Sequence, residues 1–322
     1  MKKILSIILR TGIGVALLVF LFTKIDLKAT LKAIAGINLF YLQAAIITCF
    51  VVYALALYRW RMLLIAQDVK LPLMRVISSF SGGIFFSLFL PSTIGGDIAR
   101  SVDLGLHTKR RSVIVATVLL DRLSGFVGLV IVAIISLVIG RRLINDLPVY
   151  IVIFILAGLL GGILLLIFNE RLYNRINRPV KNEGGFRESL RKLHSEIYFF
   201  RSLPSILALN LFYSILIQLG SSLVAYFLLR SLSINIKIIY PLVINPVIST
   251  ITSLPISIGG MGLREWSSVI FYRKCGVLEE AASAQSLLNF ALIVIFGIIG
   301  GIIYVSTLHH RRIQPHKTDQ SS

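Results

Sequence analysis

Acidic side chains are scarce in this sequence: Asp and Glu total 14 in 322 residues, against 33 Lys and Arg, for a formal charge of +19. There are only two cysteines and five histidines. Cys49 falls in an apolar run and Cys275 in a loop, so neither a disulfide framework nor a metal-ligand spacing is present. His107 and His194 lie in segments read as cytoplasmic, and His309, His310 and His316 in or beside the tail. No H-E-x-x-H, G-x-S-x-G or P-loop string occurs, and no histidine stands near the Ser/Thr-rich residues around 249–257 to activate one. A hydrolase, a metalloenzyme and an ATP-driven pump are therefore all unsupported. The longest hydrophilic stretch, 169–203, is far shorter than a domain of ~100 residues. That leaves no basic folded module for nucleic acid, so the cations are expected beside lipid headgroups.

What fills the chain instead is apolar sequence. Hydrophobic residues make up 56% and the mean hydropathy is +0.87. Eight apolar runs stand out, at 4–23, 39–58, 73–90, 112–139, 149–168, 204–229, 237–258 and 283–306. Their length and number predict an all-α, polytopic membrane bundle. Met1-Lys2-Lys3 ahead of the first run resembles a signal peptide, but the run is too long and lacks a small-x-small cleavage site, so it reads as an uncleaved first span. Arg59-Trp60-Arg61 after the second run reads as an interface belt at the headgroup level. Residues 169–203 contain Leu190, Leu193, Ile197 and Phe200 at helical spacing and read as an amphipathic connector on the membrane surface. The run 237–258, with Pro241, Asn245-Pro246 and Pro255, is not expected to form one regular helix.

One stretch occurs twice. Residues 90–100 read L-P-S-T-I-G-G-D-I-A-R and residues 254–264 read L-P-I-S-I-G-G-M-G-L-R, matching in register 164 residues apart. Paired Pro/Gly interruptions in two halves of an apolar chain are the trace of an inverted-repeat transporter with broken helices. Charge supports this. If all eight runs cross with the N-terminus inside, Lys and Arg divide 12 inside and 18 outside, against the positive-inside rule. If the two motif-bearing runs re-enter on one face, the division becomes 21 inside and nine outside. The expected organisation is one transmembrane domain over 1–322, with repeat one at 1–140 and repeat two at 149–306. Each repeat has three spans and one re-entrant hairpin, joined by the cytoplasmic connector 169–203 and followed by a cytoplasmic tail, 307–322.

In each motif the proline is expected to end a helix, the Gly-Gly pair to turn the backbone with positive φ, and a new helix to begin with free N–H groups that suit an anion. The candidate substrate-binding residues are Gly95, Gly96, Asp97, Arg100, Asp121, Arg122, Gly259, Gly260, Arg264 and Glu265. Arg100 and Arg264 lie one turn into the outgoing helices, where a guanidinium can clamp phosphate or serve as a headgroup anchor. Asp97 reads equally as a helix cap or a proton carrier. Asp121-Arg122, inside the long fourth run, reads as a functional pair facing a polar cavity or as a structural ion pair between helices.

The two motifs, the Asp121-Arg122 helix and Arg59-Trp60-Arg61 together resemble the lysylphosphatidylglycerol synthase transmembrane family, also called flippase-like domain proteins, over residues 5–306. The matching positions are Pro91, Gly95, Gly96, Asp97, Arg100, Pro255, Gly259, Gly260, Gly262, Arg264 and Glu265. In the multiple peptide resistance factor a related domain is fused to a lysyl transferase and moves the product across the bilayer. No transferase domain follows here before Ser322, so the resemblance implies lipid translocation or support of lipid-linked glycan metabolism rather than lysyl transfer. The expectation is a bacterial cytoplasmic-membrane lipid translocase with no cofactor, acting on a phospholipid or lipid-linked headgroup that is anionic or bears phosphate, with both termini cytoplasmic. The alternatives are a membrane-embedded transferase acting on a lipid phosphate and a non-catalytic partner of a lipid- or glycan-modifying enzyme. A second copy of the chain or such an enzyme would be the protein partner.

Overall fold

A computed structural model describes residues 36–89, 94–108, 110–144, 146–169, 185–253 and 262–313. Among these residues there are ten α-helices, one 3-10 turn and no strand. The first apolar run, Pro91, Pro255, Gly259 and Gly260 lie outside the described residues.

The helices are α1 (Leu39–Ala66), α2 (Leu73–Phe89), α3 (Ile94–Thr108), α4 (Arg111–Ile139), α5 (Leu147–Phe168), α6 (Gly185–Tyr198), α7 (Pro204–Ser231), α8 (Ile239–Thr252), α9 (Leu263–Arg273) and α10 (Glu279–Ile313). Five are long and apolar enough to cross a bilayer, namely α1, α4, α5, α7 and α10 over 279–307. The chain is a multi-pass membrane protein. The two apolar runs that lead into the repeated motif form the shorter helices, 17 residues in α2 and 14 in α8, spanning ~25 and ~21 Å at 1.5 Å per residue.

Local chemistry sets several boundaries. Asn38 caps α1 by accepting from the Phe40 N–H at 3.0 Å. Proline occupies the first turn of α5 and of α7, where a missing N–H costs nothing. α5 is apolar all round, and only Val149, Ile153 and Leu160 are buried, so most of its surface is suited to lipid.

Three expectations are corrected or sharpened here. α1 continues eight residues past Tyr58, so Arg59-Trp60-Arg61 lies within a helix rather than at its end, and Trp60 is fully buried. No breaker separates Tyr58 from Gln67, and burial of the aromatic prevails over the interface tendency of a Trp flanked by arginines. Within the run 237–258 the helix α8 covers only 239–252 and continues through Asn245-Pro246, with Thr250 Oγ1 donating to the Pro246 carbonyl at 2.8 Å, so it is not that proline which ends the helix. The apolar face of the connector rests on protein as well: Ile197 on α6 and Phe200 in the following turn pack with Leu63 of α1 and with Ala116 and Leu120 of α4.

Packing is reciprocal between the halves. α1 lies along α7, α2 packs on α10, and α8 packs on α4. Three contacts fix the relation of α2 to α3. Gly83 meets Gly96, Ser79 Oγ donates to the Arg100 carbonyl at 3.4 Å, and Arg75 reaches Asp103. Position falls along one helix as it rises along the other, so α2 and α3 form an antiparallel hairpin whose link is 90–93. The approach is so close that a Cβ on Gly96 would stand 2.1 Å from the Gly83 carbonyl oxygen. Gly300 of α10 meets the backbone of α2 similarly, with a Cβ placed 2.6 Å from the Ser81 carbonyl oxygen.

Candidate functional site: a buried arginine–aspartate network

Four helices meet at a chain of charges. Late in α1, Arg59 Nε donates to Asp121 Oδ1 of α4 at 2.8 Å, and its Nη1 donates to Ser214 Oγ of α7 at 2.8 Å. Asp121 Oδ2 accepts from Arg100 Nη2 of α3 at 3.0 Å. The same Nη2 lies 2.9 Å from Asp97 Oδ1, one turn earlier in α3. Asp97 Oδ2 in turn pairs with Arg122 Nη1 of α4 at 2.9 Å. Adjacent residues 121 and 122 thus contact different members of the chain, because neighbours on a helix diverge by about 100°.

The depth of this network is unusual for charge. Asp121, Arg100 and Arg59 are 4%, 6% and 8% exposed. A charge removed from water is tolerated only when paired and hydrogen-bonded, and each aspartate here bridges two arginines. The Arg100 guanidinium also sits 4.6 Å over the Trp60 ring and 5.9 Å from the Phe80 ring centroid, where π-faces replace part of its lost hydration. Three arginines against two aspartates leave the network one positive charge in excess. The Arg122 side chain is the most open member, 28% exposed, with its guanidinium 5.5 Å from the Phe126 ring centroid. An arriving anion could take over an aspartate's place on a guanidinium, which exchanges one charged partner for another instead of stripping the arginine bare.

The first Gly-Gly pair differs from expectation. Gly95 and Gly96 belong to the first turn of α3 and are helical, not a positive-φ turn. Gly96 serves the close approach to Gly83 instead, which draws α3 against α2 and fixes where Arg100 enters the bundle. Asp97 spends its carboxylate on Arg100 and Arg122.

The second copy builds a smaller, neutral arrangement. Gly262, at φ +78°, precedes α9, and its N–H donates to Glu265 Oε2 at 2.6 Å. Glu265 Oε1 accepts from Arg264 Nε at 3.1 Å and Nη2 at 2.8 Å, and from Ser286 Oγ of α10 at 3.3 Å. Arg264 lies 5.3 Å from the Phe290 ring centroid. Among the described residues, the hydrogen bonds of Arg264 and Glu265 stay within Gly262, α9 and α10. They do not join the first network, so the ten candidates separate into two groups, with Gly259 and Gly260 undescribed.

Arg59, Trp60 and Ser214 are members that sequence reasoning missed. Continuity of helical sequence past Tyr58 is the signal that pointed to the first two; nothing distinguishes Ser214 from the other serines of α7. A second signal was also available: carrying the 164-residue offset beyond the motif aligns Asp121-Arg122 with Gln285-Ser286 of α10. Gln285 and Ser286 are both buried, and Ser286 touches the second motif as Arg122 touches the first. Among the described residues, no group of three or more His, Cys, Asp or Glu gathers to hold a metal.

Comparison with known families gives one match. The family model for the lysylphosphatidylglycerol synthase TM region aligns with residues 7–301. No curated protein matches the chain.

Proposed function

Because the chain belongs to the lysylphosphatidylglycerol synthase TM-region family, whose setting is membrane phospholipid, we propose that it is a lipid translocase of the cytoplasmic membrane that moves a phosphate-bearing lipid between leaflets without altering it chemically. The observation that carries this is the buried Arg59–Asp121–Arg100–Asp97–Arg122 chain, one positive charge in excess, inside an apolar bundle. An ionisable group inside a membrane-spanning bundle is by default a candidate for a substrate path. The lipid phosphate exchanges for aspartate on Arg100 and Arg122, while its acyl chains stay in the bilayer.

The reciprocal packing supports an inverted repeat. The motif-bearing helix of each half rests on the last helix of the other, α2 on α10 and α8 on α4. A rocking motion of one half then moves the other half's motif, as alternating access requires. In this reading both hairpins are re-entrant and both termini cytoplasmic. Positive-inside counting still favours it after correction: Arg59, Arg75 and Arg100 prove buried in the bundle, which leaves 18 cytoplasmic cations against nine.

The test is flux of labelled phosphatidylglycerol in liposomes reconstituted with the pure protein, with mass spectrometry of the recovered lipid. Wild type should equilibrate label between leaflets and return it unchanged in mass. Arg122→Gln, at the open end of the network, and the double variant Arg100→Ala/Arg264→Ala should slow it. Equal flux in all three would refute the assigned site, and a changed lipid mass would assign the chain to transferase chemistry instead.

A further inference from the structure

A second, unassigned place for phosphate lies at the open end of the α2–α3 hairpin. Arg75 is the third residue of α2, and Asp103 and His107 lie one turn apart near the end of α3. Arg75 Nη2 donates to Asp103 Oδ1 at 2.9 Å and to the Asp103 carbonyl at 3.2 Å. Nε and Nη1 have no hydrogen-bond partner, although the side chain is only 8% exposed. A guanidinium has five N–H bonds, so three of Arg75's are unmet in a buried setting. A buried donor left unmet is costly, more so when charged, so this arginine is held ready for an acceptor.

The space for that acceptor is adjacent. Arg75, Asp103, His107 and Tyr304 line one cavity of about 590 Å³ together with Phe86 of α2. Such a volume lies in the range of small-ligand sites. Tyr304 of α10 lies across Gly82, where a Cβ would meet its ring at 2.6 Å, and packs edge-on to Phe86 at 5.7 Å. The other wall is formed by Val102 and Leu106 of α3, both more than half exposed on an apolar face. The cavity is therefore polar at the hairpin's open end and open sideways where a bilayer would lie. Among the ion pairs of the described residues, none joins it to the Arg59–Arg122 network.

We propose that this groove binds a phosphate ester on Arg75, with an attached hydrocarbon leaving past Val102 and Leu106 into the bilayer. The guanidinium turns into the groove to do so, keeping Asp103 through Nη2 and presenting Nε and Nη1 to phosphate oxygens. The site stands independently of transport, since it concerns occupancy and not flux.

Native mass spectrometry of the full chain in phosphate-free maltoside measures this directly, with dioleoyl phosphatidylglycerol, dioleoylglycerol and inorganic phosphate as separate probes. The phosphate ester should bind wild type at least tenfold more tightly than dioleoylglycerol, which has the same chains. Arg75→Gln should lose roughly tenfold in affinity, the effect of removing one charge-assisted contact. Leu106→Trp, which narrows the mouth from a lipid-facing position and leaves the ion pair alone, should lose as much for the lipid. Arg141→Gln, an exposed cation remote from both charged groups, should bind as wild type. Displacement of phosphatidylglycerol by millimolar inorganic phosphate, with Leu106→Trp indifferent to the free ion, would make the occupant free phosphate; failure to displace would make it lipid. Equal affinity for phosphatidylglycerol and dioleoylglycerol would overturn the proposal. So would unchanged binding in both Arg75→Gln and Leu106→Trp.

Discussion

Asp121→Asn perturbs the network at the carboxylate that bridges two buried arginines. Wild-type Asp121 accepts from Arg59 Nε at 2.8 Å and from Arg100 Nη2 at 3.0 Å. The amide has nearly the same shape, so packing is unchanged and the effect is electrostatic. The network goes from one positive charge in excess to two. One amide nitrogen is turned toward a guanidinium, donor against donor. Removing one partner from a buried ion pair costs ~3–5 kcal/mol because the other charge remains without compensation. The two pairs do not add to twice that figure. Arg100 keeps Asp97 and its place over Trp60, and Arg59 keeps Ser214.

The expected loss is therefore ~3–5 kcal/mol, a large part of the ~5–15 kcal/mol by which proteins are stable. It is read from reversible unfolding in mixed micelles by denaturing detergent, followed by circular dichroism. The double variant Asp121→Asn/Arg100→Gln should recover part of the loss, because it removes the charge left stranded, with a coupling of ~0.5–3 kcal/mol. Unchanged stability in Asp121→Asn, within about 0.5 kcal/mol, would mean that water reaches these charges and that the buried network does not exist as drawn.

Gly96→Ala should destabilise more than Gly83→Ala in the same assay. Its Cβ would meet the Gly83 carbonyl oxygen at 2.1 Å, whereas the Cβ on Gly83 would stand 3.0 Å from the Gly96 oxygen. Overpacking against backbone costs ~1–3 kcal/mol, and the reverse order would disprove the hairpin register. Trp60→Leu should slow lipid flux roughly tenfold while Trp60→Phe stays near wild type, since a cation–π contact is worth ~0.5–2 kcal/mol and Phe keeps a ring beneath Arg100; equal rates in the two variants would remove that contact from the mechanism. A cysteine in place of exposed Glu188 should label with an impermeant maleimide only from the cytoplasmic side of inside-out vesicles, and labelling from the other face would invert the proposed topology. The native Cys275 will not obscure that experiment: burial pushes its thiol up to about 11, so at pH 7.5 it is almost wholly protonated, and its own labelling should rise only as pH approaches that value.

Element existence was legible because membrane helices announce themselves by apolar length alone. Seven of the eight apolar runs appear as helices, and the first lies outside the described residues. What failed were the readings that depend on burial. Trp60 and Arg59 look like a headgroup belt in one dimension, and only packing against α4 and α7 shows that they form the floor of the charged network. Gly96 was legible as a necessary glycine but not for the right reason, since a turn and a helix crossing both exclude a Cβ and sequence does not distinguish them. The run 237–258 holds a helix only over 239–252, and Pro246 sits inside it because proline breaks isolated helices more strictly than helices that a bundle encloses on several sides.

The second copy of the motif bears on how such a device could work. With the 164-residue offset, Asp121-Arg122 becomes Gln285-Ser286 and Asp97 becomes Met261. Both network aspartates are thus absent from the second half, and Arg264 is compensated by its own neighbour Glu265. The surroundings of the two motif copies therefore differ in electrostatics: one has a bridged, positive chain linking four helices, and the other a local neutral pair on α9. A phosphate that exchanges for aspartate in the first half meets no equivalent chain in the second. If the two hairpins enter from opposite faces, the leaflets are then presented with sites of unequal affinity for anions. Grafting the missing charges should test this, because Gln285→Asp with Ser286→Arg rebuilds the pair beside Glu265 and Arg264. The ratio of inward to outward flux of labelled phosphatidylglycerol, measured in oriented liposomes, should move toward one in that double variant. An unchanged ratio would locate the directional bias outside these charges.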